Sequence, residues 1–182
     1  MFIRLSGCNL QCSFCDTKKA WKTGRFMSLD QIREKVLHLR NHHPYWWTCL
    51  TGGEPLIQNI QSLVQMLREE GLRIQIETNA TLYKELAVDW YTVSPKPESY
   101  TVHPSYREKA KEVKLIVTRE LNLAAVTEQR NLFPLKTPLL LQAQSNLKWS
   151  LKRGQDLLEQ ATGEGLKNIR LAVQLHKILG LP

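Results

Sequence analysis

The sequence predicts an α/β fold: a parallel sheet with its helices outside, built as a partial (βα)6-type barrel in a single domain over 1–182. Three observations predict it. Apolar runs of strand length alternate with stretches of helical periodicity along the whole chain, the pattern of β-α-β crossovers. The residues with chemistry in them fall just behind the strands, where parallel α/β folds bind ligands. The length of 182 residues suits one domain with a core that needs no disulfides.

Phe2-Ile3-Arg4-Leu5 reads as the first strand, ended by Ser6-Gly7. A cysteine loop follows, and residues 18–27 form a polar connection. Ser28-Leu29-Asp30-Gln31 is a capping box, in which Ser28 caps the amides and Gln31 reaches back. Leu29, Ile32, Val36 and Leu39 recur at helical spacing behind it, and Pro44 marks the exit. Trp46 to Leu50 is an apolar strand, with Trp46-Trp47 assigned to the core. Thr51-Gly52-Gly53-Glu54-Pro55 is the turn behind it. Ile60, Leu63, Val64 and Leu67 form a second helical stripe, stopped at Gly71. Residues 73–76 alternate as a strand that ends in Glu77-Thr78-Asn79.

A short helix is predicted over 82–86, then a strand over 90–93 running into Ser94-Pro95-Lys96-Pro97. The polar stretch 98–111 reads as a loop. Further strands are predicted at 113–117, 138–142 and 169–173. Helices are predicted at 121–132, with Leu121, Ala125 and Val126 inward, and at 150–161, closed by Gly163 and Gly165. A tail runs on to Pro182. No linker, repeat or low-complexity stretch interrupts the chain.

Hydrophobic content of 42% and charged content of 23% are globular values. Clustered thiols predict a reducing compartment. No apolar run approaches membrane-spanning length, and Met1 leads straight into the first strand with no signal peptide ahead of it. A cytoplasmic location and no membrane partner are expected. The net charge is +8, from 25 Lys+Arg against 17 Asp+Glu. Basic proteins attract anions in general. Here Arg73, Lys84, Lys96, Lys109, Lys111 and Lys114 are spread over several predicted elements, so the charge does not single out nucleic acid.

Cys8, Cys12 and Cys15 stand in the pattern C-x3-C-x2-C, with Cys49 far down the chain. Three thiolates on one loop can hold three irons of a 4Fe–4S cube. The fourth iron then keeps a position for a ligand, as a catalytic zinc does. C-x2-C is also a zinc half-site or a redox pair, but no second C-x2-C or H-x3-H is present to complete a zinc site. Gly52-Gly53 lets backbone carbonyls come close to an ammonium without a side chain intervening; taken alone, the same residues are simply a turn. Asp16 and Thr17 offer oxygen ligands to a hard cation such as Mg2+, or a turn cap. His42-His43 reads as a helix end rather than a metal site.

With Thr51–Pro55 one strand downstream of C-x3-C-x2-C, the chain resembles the radical SAM (S-adenosylmethionine) enzymes. Further matches run through Phe2 to Leu10, Cys15-Asp16-Thr17 with Trp21 beyond, Glu77-Thr78-Asn79, Ser94-Pro95-Lys96-Pro97 and His176-Lys177-Ile178-Leu179-Gly180-Leu181-Pro182. On these it is similar to the 7-carboxy-7-deazaguanine synthase family of 7-deazapurine (queuosine-type) biosynthesis. The resemblance implies rearrangement of 6-carboxy-5,6,7,8-tetrahydropterin to 7-carboxy-7-deazaguanine with loss of ammonia. It implies a 4Fe–4S cluster on Cys8, Cys12 and Cys15, SAM as a regenerated cofactor, and Mg2+ on Thr17. Phe14, Cys15, Asp16, Gly53, Ser94, Pro95, Lys96, Gln142 and Ser145 are implied to line SAM. Arg4, Thr51, His176 and the carboxylate of Pro182 are implied to hold the pterin, with Glu77 assisting proton movement. A homodimer and a flavodoxin-like electron donor are implied, and no direct contact with nucleic acid.

Two departures stand out. Family members usually carry a segment before the first strand, with a glutamate and a Gln-Gly-Glu-Gly-like turn, and this chain begins on the strand. Ala143 stands where members often have proline. Two other readings exist. A glycyl-radical activase shares the cysteine spacing. A zinc-stabilised nucleic-acid-binding module would account for the basic charge.

Overall fold

The computed structural model describes residues 1–22 and 24–180, apart from the side chain of His176. It folds as two compact units. The first comprises Met1–Thr78 and Leu82–Tyr91; the second takes Asn79–Thr81 and the chain from Thr92 onward. Seven strands occur among the described residues, where about six were expected. No helix among them is long and apolar enough to cross a membrane.

In the first unit, β1 (Phe2–Leu5), β2 (Trp47–Gly52) and β3 (Arg73–Thr78) pair in that order, all parallel. Arg4 stands opposite Thr51, and Thr48 opposite Ile74. Leu50, Ile74 and Ile76 are fully buried, as alternation in a covered parallel sheet requires. The Ser28 capping box forms in both directions: Gln31 N donates to Ser28 Oγ at 3.2 Å and Ser28 N to Gln31 Oε1 at 3.0 Å. It starts α1 (Leu29–His42). The second stripe becomes α2 (Gln61–Glu69), which buries Leu63, Val64, Met66 and Leu67. The stripe on α1 packs less completely. Val36 is buried, but Leu29 and Leu39 sit about 80° apart at its margins and stay partly in water.

Two expectations fail in this unit. Trp46-Trp47 is not core: Trp46 is 68% exposed, and burial on β2 begins only at Thr48. Trp47 instead meets Trp90 edge-on and lies under the Arg73 guanidinium, 4.8 Å from its ring centre. An aromatic ring sandwiched in this way can stay at the surface. The helix predicted over 82–86 does not form. A segment this short takes its conformation from tertiary contacts, and here they are side-chain bonds: Lys84 Nζ donates to Gln58 O at 2.7 Å, and Arg68 reaches Ala87 O.

β2 ends in Gly52-Gly53, packed against the chain that leaves β1. Gly53 N donates to Leu5 O at 3.0 Å, and Glu54 N to Gly7 O at 2.8 Å. A Cβ on Gly52, whose φ is +147°, would lie 1.9 Å from Leu5 O; one on Gly53 would lie 2.0 Å from Gly7 O. Both positions are closed to any side chain.

β4 (Trp90–Val93) gives its first two residues to the first unit and its last two to the second. Within the second unit, β5 (Ala110–Val117), β6 (Leu139–Ala143) and β7 (Ile169–Ala172) pair in order and parallel. Ile116, Gln142 and Ala172 stand in one row across them. The stretch 98–111 is not simply a loop. It contains a short helix, α3 (Tyr106–Lys109), whose Tyr106 is fully buried, and β5 starts at Ala110. α4 (Leu123–Leu132) begins two residues later than predicted, because Asn122 Oδ1 accepts from Ala125 N at 2.9 Å and caps it. Its inner face is Val126, Gln129 and Arg130, while Ala125 is only half-buried. The Arg130 guanidinium donates to the carbonyls of Phe133, Pro134 and Thr137 beyond the helix end. α5 (Lys148–Gly163) packs on β6 and β7, and the tail carries a last turn, α6 (Leu175–Ile178).

The turn at Gly53 gives a stability prediction. Gly53→Ala forces a Cβ into the Gly7 carbonyl and lowers the unfolding free energy by about 1–3 kcal/mol. Gly163→Ala, where a Cβ would meet nothing within 4 Å, leaves stability unchanged or slightly raised. Urea denaturation of the two variants measures the difference.

Candidate active site

The cysteine loop belongs to the first unit and is closed at its base by backbone bonds. Gly7 N donates to Ala20 O at 2.7 Å, so residues 8–19 form a loop whose two ends are tied. Cys15 N donates to Cys12 O at 3.0 Å, and Gln11 takes a positive φ of 49°. Together these wind the three cysteines into tight turns. Cys8, Cys12 and Cys15 are half-buried and free of disulfides, whereas Cys49 is buried within β2. That burial separates the three candidate ligands from the fourth cysteine. Thr17 N points at Cys15 Sγ, 3.4 Å away.

No three His, Cys, Asp or Glu side chains are drawn around one point as a metal would hold them, among the described residues. The donor set nonetheless fits an iron–sulfur cube: three free thiols on one tied loop, one already accepting an amide N–H. The expected Mg2+ position is less developed. Thr17 Oγ1 donates to the exposed Asp16 carboxylate at 3.0 Å, the arrangement of a local turn bond. Phe14 is half-buried on the same loop.

The turn at Gly52-Gly53 is joined to the start of this loop through Leu5 and Gly7. Behind it lies a group of strand-end side chains. Thr51 Oγ1 donates to Glu77 Oε2 at 3.3 Å, and Arg4 is the register partner of Thr51. Three residues expected to meet substrate are thus neighbours on β1, β2 and β3. Glu54 is fully buried, and its Oε1 accepts from Leu56 N at 3.1 Å and from Thr78 Oγ1 at 2.9 Å. The sequence motifs alone assign no role to Glu54 or Thr78. The signal was present in part, since both lie inside quoted motifs, but nothing in the spacing said that they would bond to each other.

The remaining expected residues belong to the second unit. Ser94 Oγ donates to Lys114 O at 2.8 Å. Lys96 Nζ donates back to Ser94 O at 2.6 Å and to Ser94 Oγ at 2.5 Å, around the buried Pro95. Tyr100 N donates to Lys96 O at 2.9 Å and closes this loop, and burial pushes the Tyr100 phenol above its ordinary pKa. Gln142 is half-buried near the end of β6. Ser145 follows in a 3-10 turn with a φ of 49° and accepts from Lys177 Nζ at 3.1 Å. Pro182 and the His176 side chain lie outside the described residues. A cavity of about 520 Å³ on α4 and α5 is lined by Arg119, Trp149 and Arg153 among others, and by none of the expected site residues.

The family model described as "Radical SAM superfamily" matches residues 2–119. The 7-carboxy-7-deazaguanine synthase of Synechocystis is 33% identical, covering 99% of this chain and 83% of that protein. The synthase of Aquifex aeolicus is 32% identical over 100% of this chain and 84% of its own length. Among solved structures, QueE from Escherichia coli superposes with a TM-score of 0.71 at 29% identity, covering 95% of this chain and 84% of that one. SuiB from Streptococcus suis, at 14% identity and a TM-score of 0.66, shares the fold alone. The expected fold class, the parallel α/β fold of the radical SAM kind, is borne out. The cysteine loop, the glycine turn behind β2 and the full-length likeness lead to one conclusion: the chain belongs to the radical SAM superfamily and, within it, to the 7-carboxy-7-deazaguanine synthase family.

Proposed function

We propose that the chain performs the reaction for which its family is named, converting 6-carboxy-5,6,7,8-tetrahydropterin to 7-carboxy-7-deazaguanine with loss of ammonia. The observation that carries the reading is the glycine turn, held by backbone bonds against the carbonyls of Leu5 and Gly7 at the root of the cysteine loop. Cys8, Cys12 and Cys15 would hold the cluster, which when bound supplies the electron that cleaves SAM to a 5′-deoxyadenosyl radical.

The chain's own residues position and shield the reactants. Gly52 and Gly53 keep side chains away from the backbone that meets the SAM ammonium. Buried Glu54, bonded to Leu56 N and Thr78 Oγ1, keeps that turn from moving. Phe14, Asp16, Ser94, Pro95, Gln142 and Ser145 are proposed to line SAM, with Lys96 set by its bonds to Ser94 so that its ammonium meets a carboxylate. Arg4 offers a planar donor fork for the substrate carboxylate beside Thr51. Thr51 Oγ1 donates to the Glu77 carboxylate, which is proposed to exchange a proton with the rearranging ring. Thr17 is proposed to hold Mg2+ through its hydroxyl, and the ion would supply Lewis-acid stabilisation of charge on the substrate. His176 and Pro182 are assigned to the substrate. The same resemblance supports a homodimer, a small acidic flavodoxin as electron donor and a cytoplasmic location.

Anaerobic turnover of the carboxypterin with SAM, Mg2+ and a reductant tests the reaction. The expected result is 7-carboxy-7-deazaguanine and ammonia with SAM recovered; SAM consumed with no deazaguanine formed overturns the reading. Arg4→Ala removes a charge-assisted contact, so the KM for the pterin rises about 10- to 100-fold while uncoupled SAM cleavage persists. Thr17→Ala abolishes the stimulation by Mg2+ and leaves the iron–sulfur absorbance intact. An unchanged Mg2+ response in that variant removes Thr17 from the role.

A further inference from the structure

The turn after β6 is tied to the chain after β7 by one side chain. Asn146 Nδ2 donates to Gln174 O at 2.9 Å, and Gln174 N donates to Asn146 Oδ1 at 2.8 Å. One amide side chain thus satisfies both backbone groups of a residue 28 positions away, as a paired strand would. Lys177 Nζ adds a bond to Ser145 Oγ at 3.1 Å.

The turn is built to present this clamp. Ser145 and Asn146 take consecutive positive φ values of 49° and 56°. Residues without glycine's freedom adopt that backbone only when the surroundings require it. The surroundings here are polar bonds: Gln144 N donates to Ser150 Oγ at 2.7 Å, and Ser150 Oγ donates to Val117 O at 2.7 Å. The turn is therefore locked to the end of β5 before it reaches the tail.

Among the described residues, the regular structure of the tail is a single short turn. α6 is four residues long with no side-chain cap, well below the length at which a helix sustains itself. Its apolar residues do not anchor it by burial, since Leu175, Ile178 and Leu179 are all about 60% exposed. Gln174 is the residue from which this turn starts, and Asn146 grips it.

We propose that Asn146 is a positioning residue, which fastens the segment carrying His176 to the loop carrying Gln142 and Ser145 and so sets the distance between substrate-holding and SAM-holding groups. This rests on the assignment of those residues under the proposed function. Asn146 touches neither reactant in this account. It acts by holding Gln174.

The test uses Asn146→Gly in the full chain. Glycine accepts the φ of 56° and removes both bonds, so the turn keeps its path and loses the clamp. Two readouts are taken. Amide hydrogen exchange over residues 174–180 reports the attachment of the tail and is expected to speed up about tenfold. The KM for the carboxypterin is expected to rise about tenfold, with kcat changed by less than about twofold. Asn146→Asp loses the donor to Gln174 O, keeps the acceptor for Gln174 N, and shifts both readouts in the same direction. Exchange and KM both unchanged in the two variants overturn the inference. Faster exchange with an unchanged KM supports the clamp and overturns the assignment of the tail to the substrate.

Discussion

Two carbonyl oxygens, those of Leu5 and Gly7, decide what can stand at the end of β2. Each lies within about 2 Å of where a Cβ would be on the facing glycine, and each accepts a backbone N–H from the turn. A hydrogen bond of this kind contributes about 1 kcal/mol net, so the bonds alone do not explain the demand for glycine. The close approach does. The root of the cysteine loop and the turn behind β2 become a single rigid backbone corner, and the Gly7 to Ala20 bond holds the far side of the loop to it. Chemistry on the loop is thereby referred to the sheet rather than to a mobile surface segment.

Polar side chains at the strand ends continue the same logic. Thr51 reaches from β2 to Glu77 on β3, and Thr78 reaches back from β3 to Glu54. The two bonds run in opposite directions across adjacent strand ends, so neither end can shift without breaking one. In the second unit, Ser94 is held by Lys114 O and in turn receives Lys96. A carboxylate as buried as Glu54 is costly unless it is bonded, and its bonds to Leu56 N and Thr78 Oγ1 are what make it tolerable at the edge of the sheet. Rigid first contacts for a cofactor come from such locked strand ends more readily than from free loops.

The strands and the two large parts of the site were legible because their signals are local. Periodicity located β3, β5 and α2, the Ser28 capping box formed as written, and the cysteine spacing and glycine turn needed no tertiary information. Failures came where tertiary contacts override local preference. Trp46-Trp47 looks like core by composition, yet Arg73 and Trp90 make a surface stack for Trp47. Residues 82–86 have helical composition, but Lys84 and the segment beside it bond to Gln58 and Arg68 instead. The stretch 98–111 is polar on average and conceals fully buried Tyr106. The pairs Glu54–Thr78 and Asn146–Gln174 were invisible, because each joins residues more than twenty positions apart and no spacing rule connects them.

The central claim is that Cys8, Cys12 and Cys15 ligate three irons and leave the fourth for SAM beside the Gly52-Gly53 turn. Mössbauer spectroscopy of anaerobically 57Fe-loaded protein, recorded with and without SAM, tests it most directly. The account predicts a 4Fe–4S spectrum in which SAM shifts the signal of one iron and leaves the other three unchanged. A spectrum indifferent to SAM, or protein that takes up only tetrahedral zinc, contradicts it.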